Sequence, residues 1–98
     1  MLTNKQRNYL RKLANSMEPI FRIGKGGLTD NTIDQMNLAF EARELFKVYV
    51  LNNSDLDVRA VCDEIVAKTG CEAVSVVGNK FVLYKKSQEK PKIVLPAK

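Results

Sequence analysis

A chain of 98 residues, 45% of them hydrophobic, can bury one compact core, and no apolar run in it nears the roughly 18 residues that cross a membrane. It contains no histidine, which removes the commonest general base, the Ser-His and Cys-His nucleophile pairs and most zinc catalysis, so an enzyme is disfavoured. Net charge is +5 and unevenly spread: residues 1–27 carry six basic side chains against Glu18, residues 28–76 carry four against nine carboxylates, and residues 77–98 carry six lysines against Glu89.

A chain that is basic at both ends around an acidic middle is expected to dock a polyanion on one side and turn its acidic part away, unless the charges merely solvate the surface. The polar N-terminus lacks the apolar region of a signal peptide. Cys62 and Cys71 have neither the number nor the spacing of a disulfide framework or a zinc site, so they read as free thiols of a cytoplasmic protein.

The first element is a helix over "LTNKQRNYLRKLANSM". Thr3 with Gln6 three positions on forms a capping-box signature, and Tyr9, Leu10, Leu13 and Met17 make an apolar stripe at helical spacing. Arg7 and Arg11 lie on one margin of that stripe, Lys5 and Lys12 on the other. Pro19 ends the helix by restricting Glu18 to extended geometry. Residues 20–23 are the first strand, followed by Gly24-Lys25-Gly26-Gly27. Thr29 is the expected cap of a second helix that runs to about Arg43, with Ile33, Met36 and Phe40 inward and Leu38 off the stripe.

Residues 45–51, "LFKVYVL", are β-branched and aromatic, hence a strand. Ser54 or Asp55 is expected to cap a third helix whose stripe is Val58, Val61, Cys62, Ile65 and Val66, with Gly70 ending it. "AVSVV" and "KFVLY" flank Gly78-Asn79, a two-residue hairpin signal. The order α-β-α-β-α-β-β holds two strand–helix–strand units, which implies parallel strands with right-handed crossovers, and the hairpin adds an antiparallel member. The last residues, 86–98, are rich in lysine and proline and read as a flexible basic tail beyond a single domain of residues 1–85.

The glycine-rich turn admits several readings. A nucleotidase phosphate loop fails, because no glycine stands five positions before Gly24 and Lys25 is followed by Gly26. A dinucleotide fingerprint matches at Gly24 and Gly26 but has Thr29 at its sixth position and Leu51-Asn52-Asn53, with no acidic residue, at the end of the next strand. A Gly-x-x-Gly clamp on a nucleic-acid backbone fits better: bare glycines admit the sugar-phosphate chain, main-chain N–H groups and the following helix N-terminus donate to phosphate, and Lys25 and Arg22 add charge. In KH-type domains such a loop joins two helices, whereas here it joins a strand to a helix. A tight turn with no ligand stays open.

The stretches "LTNKQRNYLRKLA", "IGKGGLTDN", "EARELFKVYVL" and "VVGNKFVLYK" together resemble the YhbY-like family, single-domain bacterial relatives of the CRM (chloroplast RNA splicing and ribosome maturation) domain. The resemblance covers about residues 2–95. It implies a two-layer α/β fold similar to the C-terminal domain of translation initiation factor three, with a four-stranded mixed sheet whose last strand is antiparallel to the others. It also implies a non-catalytic protein, since bacterial members are associated with precursors of the large ribosomal subunit and plant relatives bind group II introns.

By the same resemblance the RNA-contacting loop is Gly24, Lys25, Gly26 and Gly27, with Gly26 at the family's variable place, and the basic helix residues Lys5, Arg7, Arg11 and Lys12 extend the footprint. Arg43 and Lys47 also match family positions. Lys47 alternates with Phe46 and Val48, so it is expected on an open sheet face with Tyr49, where Tyr49 and Tyr84 could stack on bases or simply pack. The resulting expectation is a monomeric, cytoplasmic RNA-binding protein that assists large-subunit assembly, contacts RNA through Arg22, the loop, Thr29, Lys47 and the first helix, and uses no cofactor, metal, membrane or small-molecule substrate. The competing expectation is a scaffold that docks on a ribosomal protein, with RNA contact incidental.

Overall fold

The computed structural model describes residues 2–52 and 55–97. Its elements follow the expected order: α1 (Asn4–Ala14), β1 (Phe21–Ile23), α2 (Asp30–Arg43), β2 (Leu45–Val50), α3 (Val58–Thr69), β3 (Glu72–Val77) and β4 (Lys80–Tyr84). The strands form one sheet in the order β1-β2-β4-β3. β1 and β2 are parallel, and β4 pairs antiparallel with β2 on one side and β3 on the other. The hairpin signal demanded an antiparallel member and left its place open. The structure inserts β4 at the centre, where Gly78 adopts a φ of 59° and the backbone N–H of Val50 donates to the Asn79 carbonyl at 2.8 Å.

Strand parity divides the sheet into two faces. Phe46, Val48 and Val50 of β2 and Phe81 and Leu83 of β4 point toward α2 and α3, where they meet Ile33, Met36, Phe40, Val61, Cys62 and Ile65. Phe46 is the aromatic centre, its ring 4.5 Å from that of Phe40 and 5.1 Å from that of Phe21. The alternate residues Leu45, Val82 and Tyr84, with Val74 of β3, pack on the opposite face against Leu10 and Ala14 of α1. The second layer is therefore α2 and α3, while α1 lies across part of the other side.

The helix boundaries have local causes. The Thr3–Gln6 capping box of α1 is present in both directions, with both hydrogen bonds at 3.1 Å. The expected stripe of α1 is corrected, because the buried line is Gln6, Leu10 and Ala14, while Tyr9 and Leu13 face out. Ala14, 1% exposed, packs with Leu10 against Leu45, Val74, Val82 and Tyr84 of the sheet. Gln6 is covered because its amide donates to the Pro96 carbonyl at 3.0 Å.

Thr29 caps α2 as expected, accepting from the Thr32 N–H at 3.1 Å, and Ile33, Met36 and Phe40 are its buried residues. The cap of α3 is Asp57, whose carboxylate accepts from the Arg59 N–H at 3.0 Å. Asp55, at a φ of 61°, lies two residues before that cap, and the alternative cap Ser54 lies outside the described residues. Gly70 closes α3 in the left-handed conformation. Both cysteines are buried free thiols. Burial and the neighbouring Asp63 carboxylate push the Cys62 thiol up to about 11, and burial raises Cys71 as well.

Of the two readings left open for Tyr84, packing holds, since it is only 5% exposed among the residues packed beneath α1. The C-terminal segment, expected to be flexible, does not trail free. Glu44, fully buried at a φ of 66°, accepts from the backbone N–H groups of Ser87 (2.8 Å), Lys92 (2.6 Å) and Ile93 (2.7 Å). Glu41 accepts from the Ser87 hydroxyl at 2.7 Å, the Lys92 ammonium donates to the Ala42 carbonyl at 2.6 Å, and Ile93 and Leu95 pack against the α1 side of the sheet. A lysine-rich composition signals disorder when no partner awaits its backbone; here a buried carboxylate supplies one.

Candidate nucleic-acid interface

The loop after β1 is a closed turn, with the Gly27 N–H donating to the Gly24 carbonyl at 2.9 Å. Its glycines have different reasons. A Cβ on Gly24 would sit 3.2 Å from the Leu51 Cδ1 atom, so the bare backbone lets that side chain pack. Gly27 adopts a φ of 68°, which disfavours any residue with a Cβ. Gly26 has neither constraint, since nothing lies within 4 Å of the position its Cβ would take. Gly26 and Lys25 form the exposed tip of the turn, and Leu28, packed on the core, anchors its far side. Thr29 uses its hydroxyl to cap α2, and Asp30 occupies the first turn, where a carboxylate already complements the helix dipole.

Arg22 is exposed at the centre of β1 and pairs in register with Tyr49 of β2. Tyr49 in turn pairs with Lys80 of β4, and Lys80 with Val77 of β3. A single row, Arg22–Tyr49–Lys80–Val77, therefore crosses all four strands on the face turned away from α2 and α3. The next row on the same face contains Lys47, Val82 and Ser75. Beside these rows the last turn of α1 brings Arg11 and Asn15 to the wall of a groove of about 250 Å³, shared with Lys47, Ser75, Val77 and Lys80. No carboxylate lines it. The exposed carboxylates of the helical layer, Asp30, Asp34 and Glu41 of α2 and Asp63 and Glu64 of α3, belong to elements packed on the other face.

The expected site residues thus fall into groups. Arg22 stands in the strand leading into the loop, in one row with Tyr49 and beside Lys47. Arg11 reaches the groove from α1, its guanidinium also donating to the Asn8 side chain at 2.9 Å. Lys5 and Lys12 are exposed on α1. Arg7 is set apart: its guanidinium donates to the Ala73 carbonyl on β3, the edge strand farthest from β1. Arg43 is exposed in the last turn of α2, where its charge complements the helix dipole. Sequence reasoning overlooked Lys80, whose place on the face of Tyr49 follows from the antiparallel register of β4 with β2.

Among the described residues, no group of three or more acidic, cysteine or histidine side chains is arranged to hold a metal, and no helix is long and apolar enough to cross a membrane.

The family model described as the CRS1 / YhbY (CRM) domain matches residues 2–85. The chain is 47% identical over 96 residues to the "Probable RNA-binding protein YqeI" of Bacillus subtilis, covering 98% of this chain and all of that one. It is 33% identical over 97 residues to a Haemophilus influenzae protein named "RNA-binding protein", covering 99% of this chain and 97% of that one. Over 75 residues it is 35% identical to the maize "CRM-domain containing factor CFM3, chloroplastic/mitochondrial", matching 76% of this chain and 9% of that much longer protein. Among solved structures, that of SAV1595 from Staphylococcus aureus superposes with a TM-score of 0.79 at 45% identity, covering 98% of this chain and all of the other.

Proposed function

Because this chain belongs to the CRS1 / YhbY (CRM) domain family, we propose that it is a non-catalytic, monomeric cytoplasmic protein that binds ribosomal RNA in precursors of the large subunit. The observation that carries the reading is the separation of charge across the sheet: Arg11, Arg22, Lys47 and Lys80 gather on the partly uncovered face, while the exposed carboxylates of α2 and α3 occupy the opposite layer. A folded RNA presents closely spaced phosphates, and such a face lowers their mutual repulsion while the acidic layer disfavours the reverse docking.

In this reading Lys25 and the backbone at Gly26 meet the sugar-phosphate chain at the loop, with Arg22 behind them and Lys5, Arg11, Lys12 and Lys47 extending the contact. Thr29 acts through the helix start that it caps. The names of the bacterial relatives support RNA as partner.

The test is binding to a structured fragment of large-subunit RNA across a salt series, with Lys25→Ala and Gly26→Asp alongside. Gly26→Asp places a negative charge at the tip without strain, since the position is open and its φ is not positive. With about four to six phosphate contacts, log K should fall against log salt with a slope of about −3 to −5, and both variants should weaken binding to all RNA sequences alike. Unchanged affinity in both would remove the loop from the interface. Binding that is indifferent to salt would remove RNA and favour a protein partner.

A further inference from the structure

Resting on the RNA-binding reading, we propose that the uncovered part of the sheet is a second RNA subsite, specific for an unpaired stretch, in which a base stacks on the Tyr49 ring while the flanking phosphates rest on Arg11, Lys47 and Lys80. The loop and this face are different kinds of surface. The loop offers backbone and one lysine to a phosphate. The row Arg22–Tyr49–Lys80–Val77 offers an aromatic ring and an aliphatic side chain between cations, across a span of roughly 14 Å at ordinary strand spacing.

Three observations point to this occupant. Val77, 73% exposed, lines the cationic groove, and half-buried Tyr49 stands in register with Lys80 beside it, so apolar surface lies bare next to cations, where a phosphate alone would leave it wet. The groove wall carries Arg11, Lys47 and Lys80 without a carboxylate, which fits an anionic strand. The Lys80 ammonium stands 5.9 Å from the Tyr49 ring centroid, at the outer limit of a cation–π contact. Such a contact on an exposed lysine is weak, so Lys80 can swing onto a phosphate and bare the ring. Bases within a duplex cannot reach an aromatic side chain, whereas splayed single-stranded bases can, and four-stranded sheets with an aromatic on the open face are used in this way by other RNA-binding modules. An acidic peptide would satisfy the cations and leave the ring and Val77 without a partner.

The chain contains no tryptophan, so Tyr49→Trp creates a single indole reporter at the subsite. The probes are an unstructured RNA decamer of mixed sequence, a blunt RNA duplex of the same sequence and an oligoglutamate peptide. We expect saturable quenching of the indole by the decamer and none by the duplex or the peptide. Tyr49→Leu should weaken the decamer roughly 5- to 100-fold and Tyr49→Phe should leave it unchanged, with melting curves showing that all three variants fold.

Decamer binding without quenching, a Tyr49→Leu variant that binds like the parent, or equal quenching by oligoglutamate would each overturn the subsite. A decamer that fails to bind, beside a structured ribosomal fragment still held through the loop and released by Gly26→Asp, would sink this inference and leave the proposed function standing. If neither RNA is bound, both readings fall.

Discussion

The two faces of the sheet are built from the same strands and do opposite work. On one, Phe46, Val48, Val50, Phe81 and Leu83 are sealed by α2 and α3, and every side chain is fixed by its neighbours. On the other, α1 covers Leu45, Val74, Val82 and Tyr84 but leaves Arg22, Lys80 and Val77 exposed and Tyr49 half-buried, with Arg11 at the wall of the groove beside them. A five-residue run such as Phe46-Lys47-Val48-Tyr49-Val50 therefore alternates between the sealed and the open face residue by residue. A position's role follows from parity and from how far the covering helix extends, more than from residue type.

The sharpest way to break this comparison is a pair of neighbouring substitutions. Phe46→Ala removes a ring that packs on both Phe21 and Phe40 and should cost about 3–5 kcal/mol, enough to abolish most of the stability of a domain this size. Lys47→Ala, one residue on and half-buried on the other face, should change stability by no more than about 0.5 kcal/mol while weakening RNA binding. Urea melts with RNA titrations on both proteins check it. Equal destabilisation by the two would mean that the second face is core as well.

Next in size is the fastening of the tail. Burial alone would raise the Glu44 carboxyl, but the backbone N–H groups of Ser87, Ile93 and Lys92 and the nearby Lys86 charge outweigh it and hold the group below its ordinary value of 4.5. A carboxyl whose folded pKa is depressed contributes stability that is present above about pH 4.5 and is lost as the pH falls through the lowered folded value. Glu44→Ala should therefore cost about 2 kcal/mol at neutral pH and flatten the acid limb of the stability profile, because it strips the acceptor from three N–H groups. It should also speed trypsin cleavage after Lys86 and Lys92. Glu44→Gly is the control for the positive φ: it relieves the backbone and still loses the carboxylate. A tail as protected in Glu44→Ala as in the parent would show that Glu41 and the apolar contacts of Ile93 and Leu95 suffice.

This device also marks what the sequence could not disclose. The helices and strands were legible because their signals are local: the Thr3–Gln6 box, the Ile33–Met36–Phe40 spacing, the alternation in 45–50 and the Gly78-Asn79 turn each lie within a few residues. The cationic loop and most of its flanking charges were legible for the same reason. The tail was not, since its partner Glu44 lies more than forty residues upstream and looks in sequence like one more surface carboxylate beside a helix end. Lys80 was missed, and stacking and packing both stayed open for Tyr84, because both roles depend on β4 entering the centre of the sheet, a choice that no local pattern encodes. The α1 stripe was misread in a related way. Tyr9 and Leu13 are apolar at helical spacing, but the sheet beneath receives the line through Leu10 and Ala14.

The smallest expected effect separates two arginines that the sequence treats as equals. Arg7 and Arg11 are four residues apart on α1 and flank the same margin of the helix. In the fold, Arg7 is half-buried and donates to the Ala73 carbonyl at the β3 edge, whereas Arg11 is exposed on the wall of the cationic groove. Removing a single guanidinium-to-carbonyl bond should cost about 1 kcal/mol, so Arg7→Ala should lower the melting temperature by a few degrees and leave RNA affinity within about twofold. Arg11→Ala should do the reverse, with stability close to the parent and a salt slope shallower by nearly one unit, as expected for the loss of one phosphate contact. If Arg7→Ala lost as much affinity as Arg11→Ala, the bound RNA would have to wrap α1 to the far edge of the sheet. The interface would then be the whole circumference of that helix rather than the groove at its end.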